Sequence, residues 1–230
     1  ILSGLVGSEM CIRDRVPVTF TDDAGNTSTA EYSSFYELDN IRPTVVAIDV
    51  ADTALKAGES SQVTFTFSEA VTDFTADDVS VENGTLTDPT TDDGFTWTAT
   101  LTPTANITDT SNVLTVNRAG VIDDAGNAGI GSHWSDSYQI DTQLPTVAVA
   151  ISDTALKAGD TALVTFTFSE VVTGFTAGDV TVANGSLSVP VTNDGGLTWT
   201  ATLTPASDIT DTSNVLTVNR AGVTDLAGNA

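Results

Sequence analysis

Apolar and polar residues alternate with a period of two in stretches that recur along the chain. Val63, Phe65 and Phe67 alternate with threonines, and residues 95–101 (FTWTATL) follow the same pattern. Because neighbouring side chains of a strand point to opposite faces, each stretch predicts a strand with one apolar face and one threonine face. Threonine suits a strand because its β-branched side chain fits a pleated surface. No segment has a convincing helical period.

Seven short strands are predicted in one repeating unit, at residues 44–51, 61–68, 79–82, 85–88, 95–102, 113–118 and 134–140. Turn-forming pairs such as Asn83-Gly84 lie between them. This arrangement is typical of an all-β, immunoglobulin-like sandwich of two sheets. Trp134 lies outside the repeated apolar pattern and is a candidate for exposure. The predicted core consists of Phe65, Phe67, Trp97, Leu101 and Leu114, with the repeats Phe166, Phe168, Trp199, Leu203 and Leu216.

Internal repetition defines the organisation of the chain. Residues 52–58 (DTALKAG) recur at 153–159, and residues 107–121 recur unchanged at 209–223. Similarity at a fixed period of this kind indicates tandem domains. A further sequence, Asp-x-Ala-Gly-Asn, is called the DxAGN motif below and occurs at residues 22–26, 123–127 and 225–229.

We therefore expect four segments. Residues 1–15 are predicted to be a disordered artefact, because residues 5–15 (LVGSEMCIRDR) resemble a translated sequencing adapter. Residues 16–39 are predicted to be the C-terminal hairpin of a preceding immunoglobulin-like domain. Residues 40–141 form a complete domain in this interpretation, and residues 142–230 form a second domain that is truncated before its last strand.

The chain is strongly acidic, with 31 Asp and Glu against 7 Lys and Arg and a formal net charge of −24. This balance disfavours nucleic acid and anionic membrane surfaces as partners, since both require basic side chains. It fits a secreted, extracellular or cell-surface protein that binds divalent cations, but acidity that serves solubility alone is an open alternative. The only cysteine, Cys11, lies in the first segment, so no disulfide framework is expected.

Acidic residues are predicted to converge at one end of each sandwich. With strands running alternately up and down, the incoming linker, the loop after the second strand and the loop after the sixth strand share one pole. Close carboxylates repel one another, and a calcium ion with its oxygen ligands would neutralise them. The candidate metal ligands are Asp39, Glu69, Asp123 and Asn127 in one domain, and Asp141, Glu170, Asp225 and Asn229 in the next.

Simpler interpretations of these residues stay open. The DxAGN motif is also a turn sequence, because Gly and Asn accept a positive φ and Asp makes local hydrogen bonds. Glu69 is equally compatible with a solvated loop, as is Lys56 in the loop after the first strand. An EF-hand is not indicated, because its spacing of acidic residues is missing from the sequence.

Four short sequences together resemble a known family. They are PTVAV at 145–149, FTFSE at 166–170, FTAGDV at 175–180 and DLAGN at 225–229. The combination is similar to the bacterial Ig-like domain repeats of large RTX-type and biofilm-associated adhesins, and the resemblance covers nearly all of residues 16–230.

The resemblance implies tandem copies, type I secretion, surface display and junctions made rigid by calcium. It assigns the metal-binding linker aspartate of the family to Asp39 and Asp141. The glutamate of the second strand becomes Glu69 or Glu170, and the loop aspartate becomes Asp123 or Asp225.

Catalysis is not expected. His133 is the single histidine, so a Ser–His–Asp site would have only one possible base. Carboxylate pairs can hydrolyse glycosides, but here they recur in each repeat without a visible aromatic cleft. The expected function is a stalk or spacer of a secreted bacterial surface adhesin, with neighbouring repeats as partners and no membrane insertion. Two alternatives stay open: a glycan- or protein-binding module with Trp134 and Tyr138 as aromatic contacts, and an accessory module of a secreted enzyme.

Overall fold

The computed structural model describes residues 21–27 and 37–230. The predicted artefact at 1–15 lies outside the described residues, as does most of the predicted hairpin at 16–39. Within the described residues the regular structure consists of strands and three 3-10 helices of three residues each. The predicted all-β class, built from tandem immunoglobulin-like sandwiches, is confirmed.

The strands fall into two successive groups. The first group comprises β1 (Val45–Val50), β2 (Ala54–Lys56), β3 (Ser61–Phe67), β4 (Val71–Thr72), β5 (Val79–Val81), β6 (Gly84–Leu86), β7 (Thr90–Thr91), β8 (Thr96–Pro103), β9 (Thr108–Asn112), β10 (Leu114–Asn117), β11 (Ile122–Asp123), β12 (Ser132–Trp134) and β13 (Tyr138–Asp141). The second comprises β14 (Val147–Ile151), β15 (Ala162–Phe168), β16 (Val180–Val182), β17 (Gly185–Leu187), β18 (Val191–Thr192), β19 (Thr198–Pro205) and β20 (Leu216–Val218).

Two sheets face each other in the first domain. One has the order β1-β3-β8-β6, with β7 also paired to β8, and the other has the order β12-β10-β5. A further sheet, β2-β13-β9, contains the parallel pair β2 and β13. The second domain repeats the first sheet as β14-β15-β19-β17, and β16 pairs with β20. Strand β13 leads directly into the linker that precedes the second domain.

The alternating sequence of β3 produces the buried face that it predicts. Val63 and Phe65 are fully buried and Phe67 nearly so, whereas the intervening threonines are only partly covered. Phe65 lies opposite Trp97 of β8 in the antiparallel register. Tryptophan 97 is partly buried and packs against the core, as its phase in the strand predicts.

Phe74 is the aromatic centre of the first core, although it lies in the loop after β4 and outside every predicted strand. Its ring lies 5.0 Å from that of Phe65, 5.1 Å from that of Phe67 and 5.6 Å from that of Trp97, each in an edge-to-face arrangement. Phe175 occupies the equivalent position in the second core. Such aromatic pairs add to the stabilisation from burial, so each core is organised around a loop residue.

The structure corrects three expectations about individual side chains. Phe95 precedes β8 and is 44% exposed, so the inward alternation of this strand begins at Trp97. Tyr138 is 1% exposed and belongs to the core, which removes it from any exposed aromatic patch. Lys56 lies in a strand and forms an ion pair with Glu59, so it is not simply a solvated loop residue. Trp134 is 62% exposed, in line with its position outside the repeated pattern.

The two domains differ around the sheet that contains β13. In the first domain, buried Tyr138 and Ile140 lie in β13, and Leu114 is fully buried. Among the described residues no strand corresponding to β13 follows β20, and Leu216, the repeat of Leu114, is only partly buried. The residues equivalent to β9 form no strand, because β9 pairs with β13. The domain boundaries drawn from the sequence stay a prediction.

Replacing Phe74 with alanine should destabilise the first domain by about 3–5 kcal/mol, because the buried ring packs against Phe65, Phe67 and Trp97 and its removal leaves a cavity. The transition of the first domain in urea unfolding measures this loss. Phe95→Ala is the matched control, since half-exposed Phe95 should cost within about 0.5 kcal/mol. Equal losses for the two variants would contradict a core centred on Phe74.

Candidate metal centre

The first carboxylate cluster consists of Asp39, Glu69 and Asp123, which come from three remote parts of the sequence. Asp39 lies in the linker before β1, and Glu69 follows the end of β3 by two residues. Asp123 is the last residue of β11, which pairs antiparallel with β4 so that Asp123 lies opposite Val71. This short ladder holds the loop after β10 against the segment that follows β3, and it thereby brings Asp123 to Glu69.

The three carboxylates of this cluster are close and largely withdrawn from water. One oxygen from each of Asp39, Glu69 and Asp123 lies within 4.8 Å of the others. Glu69 is 7% exposed and Asp123 is 4% exposed. The sequence argument from strand direction therefore places these three residues as the structure does.

The second carboxylate cluster consists of Asp141, Glu170 and Asp225 and repeats this arrangement. One oxygen from each again lies within 4.8 Å of the others. Here the bridge between Thr173 and Thr224 replaces the β4–β11 ladder and holds the loop beside the segment after β15. Asp141 ends β13 of the first domain, whereas Glu170 and Asp225 belong to the second. The cluster therefore joins residues of two domains.

The DxAGN motif forms a closed turn that positions its aspartate. In the second domain, Asp225 Oδ1 accepts from the backbone N–H of Gly228 at 2.7 Å and of Asn229 at 2.8 Å. The side-chain amide of Asn229 donates to Asp225 Oδ2 at 2.7 Å. Gly228 has a φ of 93°, which glycine adopts without strain.

The same turn also forms at residues 22–26, away from the two carboxylate clusters that the described residues contain. Asn26 donates from its backbone and its side chain to exposed Asp22, at 2.8 and 2.9 Å. Within the described residues, Asp22 belongs to no group of three close carboxylates. The motif is thus a self-contained turn in each copy, as the simpler interpretation of the sequence holds, and in two copies it also presents its aspartate to a cluster.

Hydrogen bonds hold the carboxylates of the two linker aspartates, Asp39 and Asp141. Asp39 Oδ1 accepts from the N–H of Ile41 at 3.0 Å. Asp141 Oδ1 accepts from Thr108 Oγ1 at 3.0 Å and from the N–H of Gln143 at 3.3 Å. The contact from Thr108 was not anticipated from the sequence, because it depends on the pairing of β9 with β13.

Comparison with known proteins identifies the repeated unit. The model of the bacterial Ig-like domain matches residues 39–140 and again residues 141–230. The chain belongs to the bacterial Ig-like domain family. The resemblance seen in the sequence is therefore confirmed at the level of this family.

Among solved structures, the chain is similar to FdeC, described as a broadly conserved Escherichia coli adhesin. The sequences are 15% identical, the match covers 85% of this chain and 70% of that one, and the TM-score is 0.40. Among curated proteins, no sequence matches this chain.

Charge in these Ig-like domains is poorly compensated near the second cluster. Burial raises the pKa of Glu170 above its ordinary value of 4.5, and the negative charges of Asp225 and Asp141 raise it further. Glu170 Oε1 is buried and accepts no hydrogen bond. In the described part of the chain, the ion pairs are Lys56–Glu59 and Lys157–Asp160, and neither includes a member of a cluster.

Asp123 of the first cluster is held in its ionised form. Burial raises its pKa, but hydrogen bonds from Asn127 and from the backbone of the turn outweigh this and leave the pKa below the ordinary value of 3.8. Asn127 Nδ2 donates to Asp123 Oδ2 at 2.9 Å. This carboxylate therefore stays charged at neutral pH beside Glu69.

Asn127 and Asn229, which the sequence predicts as metal ligands, lie beside the clusters. Each donates a hydrogen bond to the aspartate of its own turn, Asp123 or Asp225. The amide nitrogen of Asn127 donates to the backbone oxygen of Asp39 at 3.2 Å, and that of Asn229 donates to the backbone oxygen of Asp141 at 3.0 Å. Each asparagine thus ties the linker to the loop. Their role as metal ligands stays a prediction.

Replacing Glu170 with glutamine should stabilise the second domain at pH 7 in the presence of a chelator. A carboxyl group whose pKa is raised in the folded state destabilises that state once the pH exceeds its unfolded value, so the parent protein should lose stability as the pH rises above about 4.5. The variant should lack this loss and melt on the order of 2 °C higher at pH 7.

Thermal unfolding from pH 4 to pH 7 measures the difference between Glu170→Gln and the parent. Asp124→Asn removes the same charge from an exposed position and is the control. A variant that melts lower than the parent across this range would show that the Glu170 charge does not strain the fold.

Proposed function

We propose that this chain is a stalk or spacer segment of a secreted bacterial surface adhesin, stiffened by calcium at its domain junctions. The observation that carries the proposal is the composition of the second cluster. Asp141 comes from the end of one domain, whereas Glu170 and Asp225 come from the next. A cation bound by all three would connect the two domains directly.

The spacing of the carboxylates fits calcium. Calcium ions bind oxygen ligands at about 2.3–2.6 Å, so two ligands of one ion lie at most about 5 Å apart. The oxygens of each cluster satisfy this limit, since they lie within 4.8 Å of one another. A divalent cation would also offset the repulsion that raises the pKa of Glu170. Backbone oxygens and water would complete the coordination of a cation that takes about six to eight ligands.

A cation at this position would restrict the angle between domains. The linker from Asp141 to β14 is short, since β14 begins at Val147. Binding of Asp141 to the same ion as Glu170 and Asp225 would tie the start of the linker to two loops of the following domain. Repetition of this connection along a series of domains would produce a semi-rigid rod.

Display on a bacterial surface is part of this proposal, and membership of the bacterial Ig-like domain family supports it. Each sandwich would add on the order of 40 Å, because its longest strands have eight residues that rise by about 3.3 Å each and loops extend the sandwich at both ends. No helix within the described residues has the length and apolar character needed to cross a membrane. Partners in this proposal are the neighbouring repeats and a surface glycan or protein bound by another part of the adhesin.

A binding module is the weaker alternative for these two domains. It required an exposed aromatic patch formed by Trp134 and Tyr138, but Tyr138 is buried in the core. Of these two candidates only Trp134 is exposed and available for such a contact. An accessory module of a secreted enzyme would use the same fold and the same junctions.

Calcium should bind once per cluster and raise the melting temperature of both domains. Asp225→Asn should abolish one binding event, because it removes a charged ligand, and should reduce the calcium-dependent increase in the second domain. Isothermal titration and thermal unfolding with calcium or a chelator measure these effects. Magnesium should bind more weakly, since it requires a smaller octahedral site.

Asp22→Asn is the matched control for this experiment. It disturbs the same DxAGN turn at an aspartate that belongs to no described cluster, so calcium binding should be unchanged. Equal binding by the parent protein, Asp22→Asn and Asp225→Asn would rule out the second cluster as a calcium site.

A further inference from the structure

A tight turn in the first domain leaves one backbone donor unused by the turn itself. Residues 56–59 (KAGE) form this turn, in which Glu59 N–H donates to Lys56 O at 3.2 Å and Gly58 has a φ of 80°. The pattern is that of a type II turn, with Gly58 at the position that requires a positive φ. In such a turn the N–H of the second residue, here Ala57, points away from the turn.

This spare donor meets the second domain. Ala57 N–H donates to Asn229 Oδ1 at 2.7 Å, across 172 positions of sequence. Asn229 Nδ2 donates at the same time to the backbone oxygen of Asp141 and to Asp225 Oδ2, at 3.0 and 2.7 Å. Asn229 is 3% exposed. One buried side chain therefore joins the turn of the first domain, the linker and the loop of the second domain.

The side chain of Lys56 also lies against the loop of the second domain, beside Gly228. A Cβ atom placed on Gly228 would lie 3.3 Å from Lys56 Nζ, whereas a Cβ on Gly126, the equivalent glycine of the first domain, would meet nothing within 4 Å. The side chain of Lys56 is 38% exposed, but that of Lys157, its repeat in the second domain, is 83% exposed. Two neighbours that Lys157 lacks among the described residues lie beside Lys56: the loop at Gly228, and β13, whose Asp141 pairs with Lys56.

The repeat at residues 157–160 provides an internal comparison. Asp160 N–H donates to Lys157 O at 3.0 Å and Gly159 has a φ of 84°, so the turn conformation is the same. Ala158, which corresponds to Ala57, has no hydrogen-bond acceptor among the described residues. The turn thus forms without the contact, and the contact is specific to the junction.

We propose that the turn at residues 56–59 is a docking surface for the DxAGN loop of the following domain. Its central element, called the latch below, is the hydrogen bond that Asn229 Oδ1 accepts from the N–H of Ala57. The latch uses neutral amide groups and no carboxylate of either cluster as its acceptor, so it acts without a metal ion. It sets the orientation of successive domains in the absence of calcium, and it persists if the calcium proposal fails.

Amide hydrogen exchange measured by NMR on the whole chain in chelator tests the latch. Ala57 N–H should exchange roughly 3- to 10-fold more slowly than Ala158 N–H, since a factor of this size corresponds to the net free-energy contribution of about one hydrogen bond. Asn229→Ala should remove this protection. Equal exchange rates for Ala57 and Ala158 in the parent protein would overturn the proposal.

A second measurement isolates the donor. Proline is favoured at the second position of a type II turn and follows an extended residue readily, so Ala57→Pro should keep the turn while removing its N–H. Residual dipolar couplings in chelator should show that the two domains move more independently in this variant. Ala158→Pro, in the matching turn, should leave the relative domain order unchanged. The same domain order in Ala57→Pro as in the parent would also overturn the latch.

Discussion

Like charges held close together at the start of each sandwich are the constraint on which the rest of the structure depends. Asp141, Glu170 and Asp225 present oxygens within 4.8 Å of one another, and no Lys or Arg of the described chain forms an ion pair with them. The fold tolerates the repulsion between these charges through hydrogen bonds to the carboxylates of Asp141 and Asp225. Glu170 Oε1 receives none, which leaves its charge the least compensated.

Secondary structure and convergence of the carboxylates could be predicted because both follow from strand direction and alternation. The apolar positions of β3 point inward as the period of two requires, and the linker, Glu69 and Asp123 meet because alternate loops share a pole. Phe74 could not be predicted as the centre of the core, because it lies in a loop without periodic pattern. The burial of Tyr138 could not be predicted either, because it depends on the pairing of β13 with β9, which the sequence pattern does not indicate.

Contacts made by backbone groups leave no mark in the sequence. Ala57 connects two domains through its N–H, and any residue except proline carries that donor. The sequence also predicts only part of the role of Asn229. Its position in the DxAGN motif indicates a metal ligand or a turn residue, but not a contact with the first domain. The structure gives its side chain three partners from three segments.

Two different connections therefore meet at one junction of this chain. The amide latch fixes where the loop of the second domain lies on the first, and the carboxylates beside it provide oxygen ligands for a cation. We expect the latch to be insensitive to chelators and the carboxylate connection to depend on a bound cation. A repeat built this way would bend at its junctions to an extent set by calcium, which suits a stalk that must carry a binding domain away from a cell surface.

Small-angle X-ray scattering of the chain in calcium and in chelator tests the central claim most directly. The account predicts a more extended and less flexible particle in calcium, and no such change for a variant with Asp141, Glu170 and Asp225 replaced by their amides. Superimposable profiles of the parent protein in calcium and in chelator would contradict a junction stiffened by a divalent ion.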